Sequence, residues 1–271
     1  MMNMDMTQQA ALHAPQIHPT AICSQDVQYE EGVIIGPYCI LEGPIFLGRG
    51  CHVHAHAKIQ GPVVFGQRNS IASYAFIGCD SQDRKYMGEK DAVLQIGDDN
   101  IFREYATISR GNDASATVIG SHNRFMAYTH VGHDCKIGNH NRFANNAALA
   151  GHVDVADYVI VSGLSGVHQF VKIGSYAFIG GGALVVKDVP PFMMVGSEPT
   201  RLAGLNLVGL ERNGFTQEQR FILKKYYRAL FKDSLQLHQT AQELLDCLSS
   251  EEEFVRPLME FILSSQRGIM R

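Results

Sequence analysis

Broken every six residues, Val131–Lys172 reads VGHDCK IGNHNR FANNAA LAGHVD VADYVI VSGLSG VHQFVK. Each hexad opens on an aliphatic or aromatic residue: Val131, Ile137, Phe143, Leu149, Val155, Val161 and Val167. The register continues to Ile173, Ile179 and Val185, and runs back to Phe125 and Ile119. The same period links Ile17, Cys23, Tyr29, Ile35, Leu41, Leu47, Val53, Ile59, Phe65, Ile71 and Ile77, and a shorter run holds Ile96, Phe102 and Ile108. Gly often follows the apolar position, as at Gly36, Gly66, Gly132 and Gly174, and a small residue or Asn often stands four places after it, as at Ala57, Cys135 and Ala147. A period of six is neither the 3.6 of a helix nor the 2 of a simple strand. It is the signature of a parallel β-helix. Each hexad supplies a short strand and a corner, one apolar residue points into the prism, and coils stack about 4.8 Å apart.

The register breaks twice, over 79–95 and 110–118, where polar segments read as loops thrown out from a rigid coil. Loops on such a scaffold are where binding groups concentrate. After Pro190-Pro191 the six-residue period ends. Thr216-Gln217-Glu218-Gln219 fits a capping box, and Ile222, Leu223, Tyr226, Tyr227, Leu230 and Phe231 form a helical stripe behind it. A second helix carries Leu237, Ala241, Leu244, Leu245 and Leu248, and a third is predicted to open on a capping box at Ser250–Glu253. The expected organisation is therefore a β-helix over 1–192 and a helical domain over 193–271. Lys224, Lys225, Arg228 and Lys232 make one helical face basic within a chain of net charge −4.

Only 18% of the 271 residues are charged, and no basic run suggests nucleic acid or a membrane surface. The first residues, MMNMDMTQQAALHAPQ, lack the basic and apolar regions of a secretory leader. No apolar run approaches the roughly 18 residues of a membrane-spanning helix. The six cysteines form no C-x-x-C pair, and Cys23, Cys39, Cys51 and Cys135 fall at core positions of the repeat. They read as small buried hydrophobes in a reducing cytoplasm.

The repeat resembles that of the left-handed hexapeptide-repeat proteins, in which three hexads form a triangular coil of eighteen residues and the prisms associate as trimers. The expected fold is then mainly β: a left-handed parallel β-helix followed by a small C-terminal α-helical domain. On that spacing His133, Gly151 and Gln169 stack in one column, flanked by His152 and His168. Three readings of the column stand. An imidazole beside a carboxylate, His133-Asp134, has the groups for general-base catalysis, with a Gly that leaves its N–H open as an oxyanion donor. Direct pairing of these neighbours needs a corner, because adjacent side chains in a flat strand point opposite ways. The second reading is zinc, as in γ-type carbonic anhydrases, but His122 with His140, and His52, His54 and His56, assemble no closed ligand set. The third is a set of solvated surface histidines.

The segments HVGHDCKIGN, NNAALAGHV, SGVHQF, DVPPF, QDRKYMGE, GLERNGF and RGIMR resemble, in order along almost the whole chain, those of the UDP-N-acetylglucosamine O-acyltransferases. The resemblance implies transfer of a 3-hydroxyacyl group from acyl carrier protein to the sugar 3-hydroxyl, the first step of lipid A synthesis. His133 would be the general base, Asp134 its support, and the Gly151 N–H the oxyanion donor. His152 and His168 would line the sugar and pantetheine sites, Gln169 would meet the acyl 3-hydroxyl, and Asp83 and Lys85 would hold the nucleotide sugar. Gly181 would lie at the floor of the acyl groove, where Gly suits a longer chain. A thioester is already activated, so no metal or other cofactor is implied. The partners implied are acyl carrier protein, a UDP-amino sugar and two further copies of the chain in a homotrimer, with no nucleic acid and no membrane insertion. Asn206 and Arg212 match the family's motif at the nucleotide end of the site. Val208 stands there in place of a carboxylate and Asn213 in place of a second basic residue. An amino-sugar acceptor, giving an amide, and a coenzyme A donor are the alternatives within the same chemistry.

Overall fold

The computed structural model describes residues 14–88, 92–112, 116–232 and 236–271. The amino-terminal stretch judged not to be a leader lies almost wholly outside these residues, as do 89–91 and 113–115 of the two predicted loops. Short strands are distributed over three sheets of eleven, nine and eight strands, each joining every third strand of the chain. This is a three-sided parallel solenoid. Residues eighteen apart are paired, as in His130 with Ala148 and Ala148 with Gly166. At the two insertions the step lengthens, so that Ile71 pairs with Phe102 and Ile108 with Val131.

From Ile35 onward the apolar residue of each hexad fills the prism, whereas in the first coil Ile17 and Tyr29 are exposed and Cys23 is half-buried. Phe102, Phe125 and Phe143 are fully buried and stack with centroids 4.9 and 4.8 Å apart. Inside one corner the amides of Asn69, Asn100, Asn123 and Asn141 form a ladder; the Asn123 N–H donates to Asn100 Oδ1 at 2.9 Å and the Asn141 N–H to Asn123 Oδ1 at 2.8 Å. Buried amide groups thus satisfy the main chain of the next coil.

The fourth residue of the hexad turns the corner in the left-handed region, and in most coils it is not Gly: φ is 61° at Tyr128, 60° at Asp134 and 59° at His152. Such a conformation costs about 1–2 kcal/mol per residue. Two contacts offset it. The corner N–H donates to the coil below, as from His152 to His133 O at 2.9 Å. The corner rings also stack: Tyr38, His56, Tyr74, Tyr105 and Tyr128 form one ladder with centroids 4.8–5.3 Å apart. His122, His140, Tyr158 and Tyr176 form another at 4.7–5.0 Å. Aromatic pairs contribute about 0.5–1.5 kcal/mol beyond their burial. The histidines weighed as zinc ligands at 122 and 140 are therefore rungs of a stacking ladder.

Three expectations need correction. The predicted loops are shorter at their ends, because Val93–Ile96 and Ala116–Ile119 pair with each other as strands rich in β-branched residues. The solenoid passes residue 192: Met193–Val195 joins the eleven-stranded sheet in parallel, and Leu202–Leu205 closes its edge antiparallel. The Ser250–Glu253 capping box does not form. Ser250–Val255 is a 3-10 turn without a side-chain cap, and the helix starts only at Arg256, with Pro257 in its first turn. Proline fits that first turn because it lacks the N–H an interior position requires.

Among the described residues four α-helices follow the solenoid: α1 (Leu207–Arg212), α2 (Gln217–Phe231), α3 (Leu237–Asp246) and α4 (Arg256–Ser264). The Thr216/Gln219 capping box is present at α2, which buries Leu223, Tyr226 and Leu230 and leaves Lys224, Lys225, Arg228 and Lys232 exposed. The six cysteines are free; Cys39, Cys51, Cys79 and Cys135 are buried, while Cys23 is half-buried and Cys247 exposed.

Candidate active site

The corner geometry decides how His133 and Asp134 relate. Asp134 sits at the left-handed position, which swings its carboxylate back beside the preceding imidazole. His133 Nδ1 donates to Asp134 Oδ2 at 2.7 Å. Asp134 is buried, and both its carboxylate and its main chain are held. Its Oδ1 accepts from the Asn112 N–H at 2.9 Å, and the Asp134 N–H donates to Thr117 Oγ1, itself fully buried, at 2.8 Å. With Nδ1 as donor to a carboxylate, the neutral ring carries its lone pair on Nε2. His152 lies edge-on to His133 at 5.0 Å and brings Nε2 within 3.6 Å of Asp134 Oδ2.

Gly151 occupies the next coil of the column. A Cβ built there would fall 2.5 Å from His133 Nε2, so the imidazole's working nitrogen lies against the Gly151 main chain. At this hexad position on another edge the N–H is taken by a side chain of the next coil: Asn139 donates to Asp157 Oδ1 at 2.6 Å and Ser121 to Asn139 Oδ1 at 2.8 Å. The Gly151 N–H has no such acceptor among the described residues. His133, Gly151 and Gln169 line one pocket with Asp83, Ser109 and His130. Burial holds the His130 imidazole below the ordinary histidine range, and His133 beside it adds to the effect. Its Nδ1 lies 2.8 Å from Thr107 Oγ1.

Asp83 arrives from the first inserted loop, with Oδ2 3.9 Å from His133 Nε2. Its other oxygen accepts from the Lys85 N–H at 3.0 Å, and the Lys85 side chain is exposed. The loop is clamped from below by Arg110, a buried guanidinium that bonds Gly61 O and Asp80 Oδ1. Tyr86 OH donates to the same carboxylate at 3.0 Å.

His168 and Gln169 are exposed on the same edge one coil above Gly151. Asn206 is the N-cap of α1, accepting from the Gly209 N–H at 3.0 Å, and with Arg212 it lines a different pocket beside His122, His140, Arg142 and Val208. Gly181 follows a strand of the eleven-stranded sheet and so lies on a different edge from His133, which follows the nine-stranded sheet. A Cβ at Gly181 would make only ordinary contact, 3.4 Å from Gly163 O. The fold does not require Gly there. One chain thus brings His133, Asp134, Gly151, His152, Gln169 and Asp83 together and leaves Gly181, Asn206 and Arg212 apart from them.

His133, Asp134 and His152 also offer three ligand atoms within 4.8 Å of one another. The Nδ1–Oδ2 separation of 2.7 Å is that of a charge-assisted hydrogen bond. It is shorter than the roughly 3.3 Å edge of a tetrahedral zinc site with ligands about 2.0 Å from the metal. Thr117, Asn112 and Arg110, which hold the dyad and the loop, are absent from the sequence reading; they fall in or beside an insertion, where the repeat supplies no register to place them. No helix among the described residues is long and apolar enough to cross a membrane.

A hexapeptide solenoid carrying an imidazole–carboxylate pair on one corner has the make-up of a transferase of the parallel β-helix class. Residues 116–151 match the model of the bacterial transferase hexapeptide (six repeats), and residues 188–270 that of UDP-N-acetylglucosamine O-acyltransferase, domain 2. An acyl-(acyl-carrier-protein)–UDP-N-acetylglucosamine O-acyltransferase of Stenotrophomonas maltophilia is 41% identical over 96% of this chain and 99% of its own length. Another, of Thermodesulfovibrio yellowstonii, is 46% identical over 94% of this chain and 99% of its own. The solved UDP-N-acetylglucosamine acyltransferase of Francisella novicida superposes with a TM-score of 0.91 at 37% identity, covering 94% of each chain. LpxA from Acinetobacter baumannii gives 0.90 at 40% identity, covering 94% of this chain and 99% of its own. The chain belongs to the UDP-N-acetylglucosamine O-acyltransferase family.

Proposed function

We propose that this enzyme transfers a 3-hydroxyacyl chain from acyl carrier protein to the 3-hydroxyl of UDP-N-acetylglucosamine, in lipid A synthesis, with His133 as general base. The observation that carries the catalytic assignment is the His133 Nδ1 to Asp134 Oδ2 bond of 2.7 Å, which leaves Nε2 as the acceptor facing the Gly151 main chain. The sugar 3-hydroxyl gives its proton to His133 Nε2 as its oxygen attacks the thioester carbon. Asp134 stabilises the resulting imidazolium, and the Gly151 N–H donates to the oxyanion of the tetrahedral intermediate. Collapse breaks the C–S bond, and the departing thiolate takes the proton back from Nε2. The base contributes about 10²–10⁴-fold, and alignment of hydroxyl with thioester much of the remainder.

Asp83, Lys85, His152, His168 and Gln169 bind the substrates on this reading, and the exposed basic side of α2 and its C-cap, with Lys224, Lys225, Arg228 and Lys232, takes the acidic acyl carrier protein in the cytoplasm. Gly181 lies on a different edge from His133 of its own chain, and Asn206 and Arg212 line a different pocket. A neighbouring copy packed against that edge would bring them to the site, which accords with the homotrimer. Incubation with UDP-N-acetylglucosamine and hydroxyacyl carrier proteins of graded length, followed by mass spectrometry, tests the reading. A mono-acylated UDP-sugar labile to mild base supports an ester. A base-stable product points to an amide, and turnover with coenzyme A thioesters alone contradicts the donor.

A further inference from the structure

The segment after α4 returns to the solenoid beside the catalytic corner. Asp188, 1% exposed, anchors it. Its Oδ2 accepts from Ser265 Oγ at 2.7 Å, its N–H donates to Gly268 O at 3.0 Å, and its carbonyl accepts from the Met270 N–H at 2.8 Å. Between these anchors stands Arg267. Its Nε donates to Val186 O at 2.8 Å and its Nη2 lies 2.7 Å from His168 Nδ1. His168 follows Val167 as Gly132 follows Val131 and Ala150 follows Leu149, and both Gly132 and Ala150 line the pocket of His133.

A guanidinium is a donor at every accessible pH and never an acceptor. At 2.7 Å, His168 Nδ1 must therefore be the acceptor, and the ring's proton resides on Nε2. A competing contact asks for the opposite tautomer: Nδ1 lies 3.2 Å from Gln169 O, where an Nδ1–H would donate. The shorter, charge-assisted contact prevails, since two donors 2.7 Å apart repel.

We infer that Arg267 is a positioning residue for the transfer reaction: it fixes His168 as the Nε2–H tautomer, so that the substrate atom His168 meets is a hydrogen-bond acceptor, a carbonyl or phosphate oxygen. The inference rests on the proposed role of His168 at the substrate site. It also gives the helical domain a direct hold on the catalytic corner, through the Ser265–Met270 strap.

The test is ¹⁵N-histidine NMR of the full-length protein and its Arg267→Ala variant, with steady-state kinetics on both. In the parent, the His168 Nδ1 resonance is that of an unprotonated nitrogen. In Arg267→Ala the proton moves to Nδ1, where Gln169 O receives it, and kcat/KM falls about tenfold, the worth of one charge-assisted bond. Arg267→Lys restores part of this, because an ammonium still donates to Nδ1 without also reaching Val186. His168→Ala combined with Arg267→Ala is no slower than His168→Ala alone. The inference is overturned if Nδ1 is protonated in the parent, or if Arg267→Ala slows the His168→Ala enzyme by as much as it slows the parent. An absence of acyl transfer by the parent would instead fail the proposed function, and the NMR result would still decide the tautomer.

Discussion

Gly151→Ala separates the catalytic demands of the corner from its folding demands. The added methyl would lie 2.5 Å from His133 Nε2 and 2.6 Å from Cε1. Ordinary contact between such atoms needs about 3.5 Å, so the imidazole must retreat by roughly 1 Å. The nearest atoms belong to the tip of a side chain rather than to the main chain, so the fold accommodates the change by turning that ring aside. Gly151 is not in the left-handed region, so alanine incurs no backbone strain. The effect on stability should stay within about 1 kcal/mol. Catalysis has no such margin. The retreat breaks the 2.7 Å bond to Asp134 and moves the base off the reacting hydroxyl. A misplacement of that size costs about 10²-fold, and loss of the base up to about 10⁴-fold. The expected outcome is a fall in kcat of about 10²–10³-fold, with the thermal midpoint within a few degrees of the parent. Acyl transfer followed by mass spectrometry and a melting curve on the same preparation measure both. An alanine variant within threefold of the parent would refute the placement of Nε2 against residue 151.

Gly181→Met should fold normally, given the ordinary contacts around a Cβ there, and should shift the preferred acyl chain shorter in the graded-carrier assay; an unchanged preference would remove residue 181 from the groove. Phe125→Ala, at the centre of a fully buried three-ring stack, should cost about 3–5 kcal/mol in denaturant unfolding, and a loss below 1 kcal/mol would contradict the packed prism. Burial depresses the imidazoles of His130 and His52 in the folded chain, so the unfolded chain takes up protons first as pH falls. Their stabilising contribution is full above about pH 6.5 and is lost as pH drops through the folded values. The melting temperature should therefore fall between about pH 7 and pH 5, and less so in His130→Gln, which cannot protonate; an equal fall in both would dismiss His130 as a cause.

Much of this architecture was legible because one apolar residue per six leaves an unambiguous period. The interior positions, the stacking of His133 under Gly151 and Gln169, and the Thr216 capping box all follow from spacing. Other features carry no comparable signal. Whether His133 reaches Asp134 depends on a left-handed corner occupied by residues as different as Tyr, His, Asp and Leu, which no propensity marks. The hold of Asn112 on that carboxylate and of Thr117 on the Asp134 main chain comes from an insertion without periodicity. The 3-10 turn at Ser250–Val255 has the residues of a capping box, but Pro257 delays the helix beyond it. Asn206 and Arg212, at the two ends of α1, lie beyond the last hexad, where the repeat supplies no register.

Single-turnover acyl transfer by His133→Ala, compared with the parent under saturating substrates, addresses the general-base assignment most directly. The account predicts a loss of at least about 10²-fold with unchanged binding of UDP-N-acetylglucosamine and an unchanged melting temperature. A variant that transfers the acyl chain within a few-fold of the parent rate would contradict it.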